Sequence, residues 1–258
     1  MNINLTKKHY GKLWRAVTEF DLLNTDDRIL IGMSGGKDSC FLAIALSELR
    51  KYSPRKFELG AINIDPLFTA DFNPAPIDEF CQSLNIPFQS IKVNIAEIIE
   101  KDSHNDPCFT CSFFRHGAIN KFARKNGFNK IAYAHHHDDA VETFFMSMLC
   151  SGRLTTFSPL TYLSRTDLSI IRPIIYFRER EIEEIVKQYG FNLVKNPCPI
   201  NGKTKRQEIK ELINNLKTLN PQVYEHIAAA MRDPKASLWP PTPNHEEMKI
   251  KHMSFWKK

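Results

Sequence analysis

The stretch RILIGMSGGKDSC, residues 28–40, gives the first indication of the fold. Residues 28–33 form a short apolar run without polar alternation, which is typical of a strand buried on both faces of a sheet. The loop that follows holds Gly35 and Gly36 just before a helical segment, so bare backbone N–H groups and a helix N-terminus would meet at one point. Lys37 adds a mobile positive charge. The stretch therefore predicts a strand, an anion-binding loop and a helix.

The loop fits neither of two common nucleotide-binding fingerprints. The Walker spacing G-x-x-x-x-G-K and the dinucleotide fingerprint G-x-G-x-x-G are both absent from residues 31–40. A tight structural turn between a strand and a helix is the alternative for any pair of glycines. The full hexapeptide SGGKDS at the end of a first strand favours a phosphate site instead.

Outward from this loop, strand-like and helix-like segments alternate along the chain. Alternation of this kind favours an α/β fold with a doubly wound, mainly parallel sheet and helices on both faces. Gly127 is placed to end one of these helices. The predicted strands are 28–33, 57–64, 88–93, 130–134 and 168–174, and the predicted helices are 5–22, 39–51, 75–84, 115–127, 138–149 and 178–190.

The composition is that of an ordinary globular protein, with 258 residues, 42% hydrophobic and 25% charged. We expect an N-terminal helix (1–24), a main domain (25–232) with an inserted cysteine loop, and an irregular C-terminal arm (233–258) whose tryptophans dock on the domain. No apolar run approaches the ~20 residues of a membrane span, and no signal-peptide block is present. We therefore expect no membrane association and a cytoplasmic location. The net charge of +6 permits a polyanionic partner without requiring one.

A second candidate motif, AHHHDDAVET at 134–143, follows the fourth predicted strand. Three successive histidines suggest a metal site, but adjacent side chains do not point the same way and the i,i+4 spacing is missing. Asp138 and Asp139 are candidate functional carboxylates. The alternative for either aspartate is that it merely caps a helix.

The six cysteines raise the question of metal or redox chemistry, because a disulfide framework is not expected in a reducing cytosol. Cys108 and Cys111 form a C-x-x-C pair in a predicted loop before a helix, which fits a zinc half-site, a redox pair or part of an iron–sulfur site. The chain has no second C-x-x-C pair for a four-cysteine zinc site, and Cys198 lies in a comparable Pro-Cys loop. These three cysteines match a [4Fe–4S] cluster with one iron left open. The others are predicted to be small core residues: Cys40, Cys81 and Cys150.

The hexapeptide SGGKDS resembles the signature of the PP-loop ATP pyrophosphatases, which split ATP between its α and β phosphates. The resemblance implies an adenine nucleotide alpha hydrolase-like fold and an ATP site near Asp65 for the adenosine half. It also implies that a histidine and an acidic residue, here His135 and Asp139 with Asp138 next, lie beside the α-phosphate and Mg²⁺. The residues implied to hold the β and γ phosphates are Ser34, Gly35, Gly36, Lys37, Asp38 and Ser39. The implied catalytic residues are Lys37, Asp38, Asp139 and Asp138.

The wider pattern resembles the tRNA 2-thiocytidine synthetase family, which combines the PP-loop with a [4Fe–4S] cluster. The resemblance also includes RPIIYFRERE at 172–181, and it runs from about residue 8 to about residue 232. It implies a cluster on Cys108, Cys111 and Cys198. Typical members carry P-C-x-x-C in the last loop, whereas residues 197–201 read PCPIN, so Cys198 serves if the first cysteine is the ligand. The 2-thiouridine relatives add terminal zinc C-x-x-C pairs, which this chain lacks, and that favours the cytidine branch.

The resemblance implies a reaction on a cytidine at position 32 of the tRNA anticodon loop. ATP would adenylate the C2 oxygen, and sulfur would then displace AMP. The implied partners are tRNA, a sulfur donor such as a cysteine desulfurase or free sulfide, and a second copy in a homodimer. The alternatives are a lysidine synthetase-like ligase, a thiolation enzyme for another RNA or a small molecule, and a cluster- or RNA-binding protein that has lost catalysis.

Several basic side chains are candidates for following the RNA backbone. Each is also compatible with an ordinary solvated surface charge. The candidates are Arg115, Lys121, Arg124, Lys125, Lys203, Lys205 and Arg206.

Overall fold

The computed structural model of the protein describes residues 5–101, 106–190, 194, 198, 204–232 and 244–256. The strands are β1 (Asp27–Gly32), β2 (Phe57–Asp65), β3 (Phe88–Lys92), β4 (Lys130–Ala132), β5 (Leu160–Leu163) and β6 (Leu168–Ile171). The helices are α1 (Lys7–Glu19), α2 (Lys37–Tyr52), α3 (Ala75–Ser83), α4 (Ile95–Lys101), α5 (Pro107–Lys125), α6 (His137–Ser151), α7 (Glu179–Gln188), α8 (Lys205–Leu216), α9 (Val223–Ala230) and α10 (His245–Trp256).

The described strands form one sheet in the order β3-β2-β1-β4-β6-β5. All neighbouring pairs are parallel except β5 and β6, which are antiparallel. The strand order reverses at β1, so the crossovers after β1 and β3 leave toward opposite sides of it. The predicted doubly wound, mainly parallel sheet is confirmed.

The central strand β1 is buried on both faces, and its side chains alternate between two hydrophobic clusters. Ile29 and Ile31 pack with α1, α2 and α7 through residues such as Leu13 and Phe41. Leu30 lies on the other face, in the cluster formed with α4 and α5. Helices therefore cover both faces, which is what an uninterrupted apolar strand requires.

The sixth strand shows where the sequence prediction was too long. Residues 168–174 were expected to form one strand, but β6 ends at Ile171. Pro173 has no N–H to offer to a neighbouring strand, so the ladder cannot continue through it. The sequence reading also missed β5, a four-residue edge strand whose residues are only half-buried or exposed.

Three helical regions differ from the sequence expectations. The C-x-x-C pair lies within α5 and not in a loop, because Asp106 caps the helix and accepts from the Cys108 N–H at 2.8 Å. The C-terminal arm is not irregular throughout, since 245–256 form α10; its docked tryptophans lie outside the described side chains. The helices α4, α8 and α9 were not predicted. Within the described residues, no helix has both the length and the apolar character needed to cross a bilayer.

A buried ion pair joins the amino-terminal ends of β1 and β4, at the edge of the sheet opposite the glycine loop. Lys130 Nζ lies 2.7 Å from Asp27 Oδ2, and both side chains are almost fully buried. Lys130 also donates to the Leu22 carbonyl at 2.9 Å, and Asp27 accepts from Asn129 Nδ2 at 2.8 Å. Every charge in this pair therefore has hydrogen-bonding partners.

Replacing Lys130 by Ala should lower the free energy of unfolding by about 3–5 kcal/mol, because it leaves the Asp27 carboxylate buried without its cation. The measurement is urea unfolding followed by circular dichroism. Lys101→Ala is the matched control: Lys101 forms an exposed ion pair with Glu97, and its loss should cost less than about 1 kcal/mol. Equal effects in the two variants would contradict the role given to the buried pair.

Candidate active site

The loop between β1 and α2 lies at the carboxyl end of the central strand. Gly36 is the N-cap of α2 and has no side-chain cap, so the first N–H groups of the helix remain available to an acceptor. The Ser34 and Ser39 hydroxyls lie 3.1 Å apart, and Ser39 Oγ donates to the Gly36 carbonyl at 2.9 Å. The Gly36 N–H donates to Ser34 Oγ at 3.3 Å. These bonds give the compact anion-binding turn that the sequence predicted.

Gly35 allows the loop to approach a distant segment of the chain. Its φ is +79°, and a Cβ built on it would lie 2.8 Å from the Cβ of Val194 and 3.0 Å from Ile77 Cδ1. The Val194 N–H donates to the Gly35 carbonyl at 3.1 Å. Glycine is required here for both backbone conformation and space, and the contact joins the loop to the segment that leads to Cys198.

Lys37 is held by carboxylates at the start of α2. Its Nζ lies 2.9 Å from Glu179 Oε1 and 3.1 Å from Asp38 Oδ2. Burial would lower the pKa of Lys37, but Asp38 and Glu179 outweigh it and raise the pKa above its ordinary value. The ammonium is therefore charged and preset in place. Glu179 is held in turn by Lys37 and Lys210, which overcome its burial and lower its pKa to about 2.

Asp38 presents an oxygen that is suited to a cation. Its Oδ1 is buried and has no hydrogen-bond partner in the described structure. His136 Nε2 lies 3.8 Å from this oxygen. Because buried carboxylate oxygens are normally satisfied, an orphaned one beside an anion-binding loop fits a hard divalent ion such as Mg²⁺.

His136 and Asp139 organise the start of α6. His136 is the N-cap, and its N–H donates to Asp139 Oδ2 at 2.9 Å while its ring accepts from the Asp139 N–H. The other Asp139 oxygen accepts from Arg206 at 3.1 Å. Asp139 faces the cavity described below. The sequence analysis named His135 as the histidine of this site and did not predict that His136 caps α6.

Asp138 pairs with Arg178 and does not line the cavity. Arg178 Nε donates to both of its oxygens at 3.1 Å, and the Glu179 N–H donates at 2.8 Å. Burial would raise the pKa of Asp138, but these donors hold it below its ordinary value. Asp138 is an ionised carboxylate that joins α6 to α7 in this structure, and the catalytic role expected for it stays a prediction.

His135 and Asp65 occupy different surroundings. His135 lines the cavity and accepts from Arg172 Nε at 3.3 Å. Burial and Arg172 lower the pKa of His135 to about 4, so its ring is neutral at neutral pH. Asp65 is buried at the end of β2 and accepts from the Leu67 N–H at 2.9 Å, which shapes the turn. Neighbours of Asp65 on β2, Ile62 and Ile64, line the cavity, and Asp65 itself does not.

Cys108, Cys111 and Cys198 line the same cavity. Cys108 and Cys111 share one face of the first turns of α5, because they are three residues apart. Burial raises the pKa of both thiols, and Cys198 raises each further, so the three are within electrostatic reach of one another. No group of three His, Cys, Asp or Glu side chains in the described part of the chain converges tightly enough to hold a single ion. A four-iron cluster is several ångströms across, so thiols spaced around a cavity fit it better than they fit one ion.

The other cysteines separate into two kinds. Cys40 and Cys81 are buried in the core, as predicted. Cys150 is exposed near the end of α6, so its prediction as a core residue was wrong. The apolar residues around Cys150 in the sequence do not indicate which face of α6 it occupies.

One cavity of about 610 Å³ brings the two halves of the site together. The PP-loop residues Ser34, Asp38 and Ser39 line one part, and the cysteines line another. Of the basic candidates, Arg115 and Arg206 line this cavity. Lys121 and Lys125 line a second groove along α5, Arg124 and Lys205 are exposed, and Lys203 lies outside the described residues.

Sequence reasoning missed the ionic contacts made by Arg178, Glu179 and Lys210. The run RERE at 178–181 carried a signal, because charges of both signs at the start of an amphipathic helix need partners. The identity of those partners depends on how α6, α7 and α8 meet, which local sequence does not specify.

Comparisons with known proteins agree with this geometry. The PP-loop domain family matches residues 6–216. A tRNA-cytidine(32) 2-sulfurtransferase from Bdellovibrio bacteriovorus is 31% identical over 237 residues, covering 90% of each chain. A protein of the same name from Legionella pneumophila is 31% identical over 239 residues, covering 91% of this chain and 83% of the relative.

A solved structure has the same fold. It is the U34-tRNA thiolase NcsA from Methanococcus maripaludis with its [4Fe-4S] cluster, which superimposes with a TM-score of 0.68 at 19% identity. The alignment covers 89% of this chain and 83% of that chain. By the extent of these sequence matches, the chain belongs to the PP-loop family, in the group of the tRNA-cytidine(32) 2-sulfurtransferases.

Proposed function

We propose that the protein thiolates cytidine 32 of tRNA, in a reaction driven by cleavage of ATP to AMP and pyrophosphate. The observation that carries this proposal is the single cavity lined by both the PP-loop and three cysteines. Activation of an oxygen and delivery of sulfur must occur at the same carbon atom, so the two sets of residues need to share one space. The family membership supports the same substrate.

The nucleotide half of the cavity is suited to departing pyrophosphate. The free N–H groups at the start of α2 would stabilise negative charge as it develops on the phosphates. Lys37 does not itself line the cavity, but its charged ammonium is held beside Asp38, which does. Asp38 would hold Mg²⁺ through its unpartnered oxygen, and the ion would neutralise further phosphate charge. Asp139, held by its neighbours at the same cavity, is the second proposed catalytic carboxylate.

The sulfur half is formed by Cys108, Cys111 and Cys198, which would hold a [4Fe–4S] cluster. When bound, such a cluster supplies an open iron that carries the sulfur to be transferred. Burial raises the pKa of the Cys111 thiol, and Arg115 beside it opposes part of that rise, which favours the thiolate needed for a ligand.

The proposed reaction at C2 of the base has two steps. The C2 oxygen attacks the α-phosphorus of ATP and expels pyrophosphate, which turns a poor leaving group into AMP. A sulfur nucleophile then adds to C2, and AMP departs with the original oxygen. The base must leave its stack to expose C2, at a cost of a few kcal/mol that is smallest in a single-stranded loop.

The proposal also includes the source of the sulfur, the oligomeric state of the protein and its location in the cell. Neither ATP nor cytidine carries sulfur, so a cysteine desulfurase or free sulfide must supply it. We propose that the protein acts as a homodimer in the cytoplasm, where tRNA and ATP are both present. Sedimentation equilibrium tests the first of these statements, and cell fractionation tests the second.

Replacing Lys37 by Ala should abolish tRNA-dependent release of AMP and pyrophosphate, because the phosphates lose their preset cation. Thin-layer chromatography of labelled ATP measures the products, and iron content should not change. Lys51→Ala is the control, since Lys51 pairs with Glu48 near the end of α2 away from the loop. Release of ADP and phosphate by the unmodified protein would contradict the proposed chemistry.

Replacing Cys108, Cys111 or Cys198 by Ser should abolish iron binding, because each removes a thiolate from the cavity. The unmodified protein, reconstituted without oxygen, should hold about four irons per chain, measured by elemental analysis and visible absorption. Cys150→Ser is the control, because Cys150 is exposed outside the cavity. One zinc per chain and no iron under these conditions would refute the cluster assignment.

A further inference from the structure

Three phenylalanines on α5 are exposed to solvent. Phe109 is 63% exposed, Phe113 is 64% exposed and Phe114 is 36% exposed. The rings of Phe109 and Phe113 lie 6.3 Å apart at an angle of 22°, and Phe114 meets Phe113 edge-on at 5.5 Å. Contiguous large apolar side chains on a protein surface mark a contact site for a partner.

These rings lead into a groove of about 630 Å³ between α5 and the edge strand β3. Phe113, Phe114 and Ile91 form apolar parts of its wall. At Gly117, a Cβ would meet no atom within 4 Å, so the groove is open above the helix backbone. The groove adjoins no part of the nucleotide site described above.

The groove is positively charged. The exposed Lys121 and Lys125 line it, and the remaining polar lining residues, Gln89 and Asn126, are neutral. Among the described residues that form the groove, none is acidic. An anionic occupant with flat apolar faces fits this combination.

The groove and the sulfur half of the cavity lie on different faces of α5 and share no lining residue. Phe109 directly follows Cys108 in the sequence, on the same helix. From Phe113 to Lys125, the ends of the groove on α5, the helix axis extends about 18 Å, at ~1.5 Å per residue. An occupant of the groove would therefore lie along the helix that carries two of the three cysteines of the cavity.

Two kinds of occupant can be compared by charge. A second copy of this chain docked through a two-fold axis would place the same surface on both sides, with the lysines of each copy opposed. Single-stranded RNA instead offers base faces to the phenylalanines and phosphates to the lysines. The charge of the groove favours RNA.

We infer that this groove binds unpaired nucleotides of the tRNA that flank the target cytidine. Phe109 and Phe113 stack on bases, and Lys121 and Lys125 contact phosphates. The inference rests on the proposed function, because it takes tRNA as the substrate. It adds a binding site outside the cavity in which the reaction occurs.

The test measures binding of an anticodon stem-loop RNA carrying cytidine at position 32, by fluorescence anisotropy at several salt concentrations. The double variant Phe109→Ala/Phe113→Ala should bind more weakly by roughly 30-fold or more, because two base stacks are lost. Its salt dependence should not change, since no phosphate contact is removed. The single variant Phe113→Tyr should bind like the unmodified protein, because tyrosine keeps the ring that stacks. Tyr162→Ala is the control, because Tyr162 is 61% exposed on β5, at the opposite edge of the sheet.

The lysine variant gives the complementary result. Lys121→Gln/Lys125→Gln should flatten the slope of log K against log salt by about 1.4, at ~0.7 per lost single-strand contact. Lys56→Gln, an exposed lysine before β2 at the far end of the strands, should leave the slope unchanged. All substituted groove residues are exposed, so thermal unfolding should show that the variants fold.

Three outcomes would overturn the inference. In the first, the phenylalanine variant binds the stem-loop as tightly as an unmodified protein that also thiolates it. That result refutes RNA binding by the groove and leaves the proposed function standing. A loss of self-association in that variant, seen by sedimentation with unchanged RNA affinity, assigns the groove to a second copy. Failure of the unmodified protein to bind the stem-loop refutes the inference together with the tRNA substrate.

Discussion

The position of β1, buried on both faces at the centre of a parallel sheet, is the constraint on which the rest of the structure depends. Ile29 and Ile31 are held by one hydrophobic cluster and Leu30 by the other, so the strand cannot slide or turn over. Its carboxyl end is thereby fixed beside that of β4. Asp38 and Asp139 lie in the first turns of the helices that follow these two strands, and His136 lies between their carboxylates.

A set of ion pairs then sets the outer helices against this edge. Arg178 joins α7 to Asp138 on α6, and Lys210 on α8 shares Glu179 with Lys37 on α2. These pairs are partly shielded from water, so each differs from the exposed pairs of the surface, which contribute little. Their effect is geometric: the lysine of the nucleotide loop is oriented by helices that come more than a hundred residues later in the chain.

The sequence was sufficient for the parts of the structure that depend on local pattern. The uninterrupted apolar runs of β1 and β2 and the hexapeptide SGGKDS identified the sheet and the anion-binding loop. It was insufficient where tertiary partners decide. Asp138 and Asp139 are adjacent and chemically identical, yet Asp138 pairs with Arg178 and Asp139 lines the cavity. Cys150 has apolar neighbours in sequence, but it lies on the exposed side of α6. The edge strand β5 lacks the apolar pattern that would have revealed it.

The contact between Gly35 and Val194 packs the glycine loop against a distant part of the chain. The Gly35 carbonyl is held by the Val194 N–H, and there is no room for even a methyl group between the two residues. Val194 lies four residues before Cys198 along the chain. Any side chain added at residue 35 would therefore have to displace the loop, Val194 or Ile77.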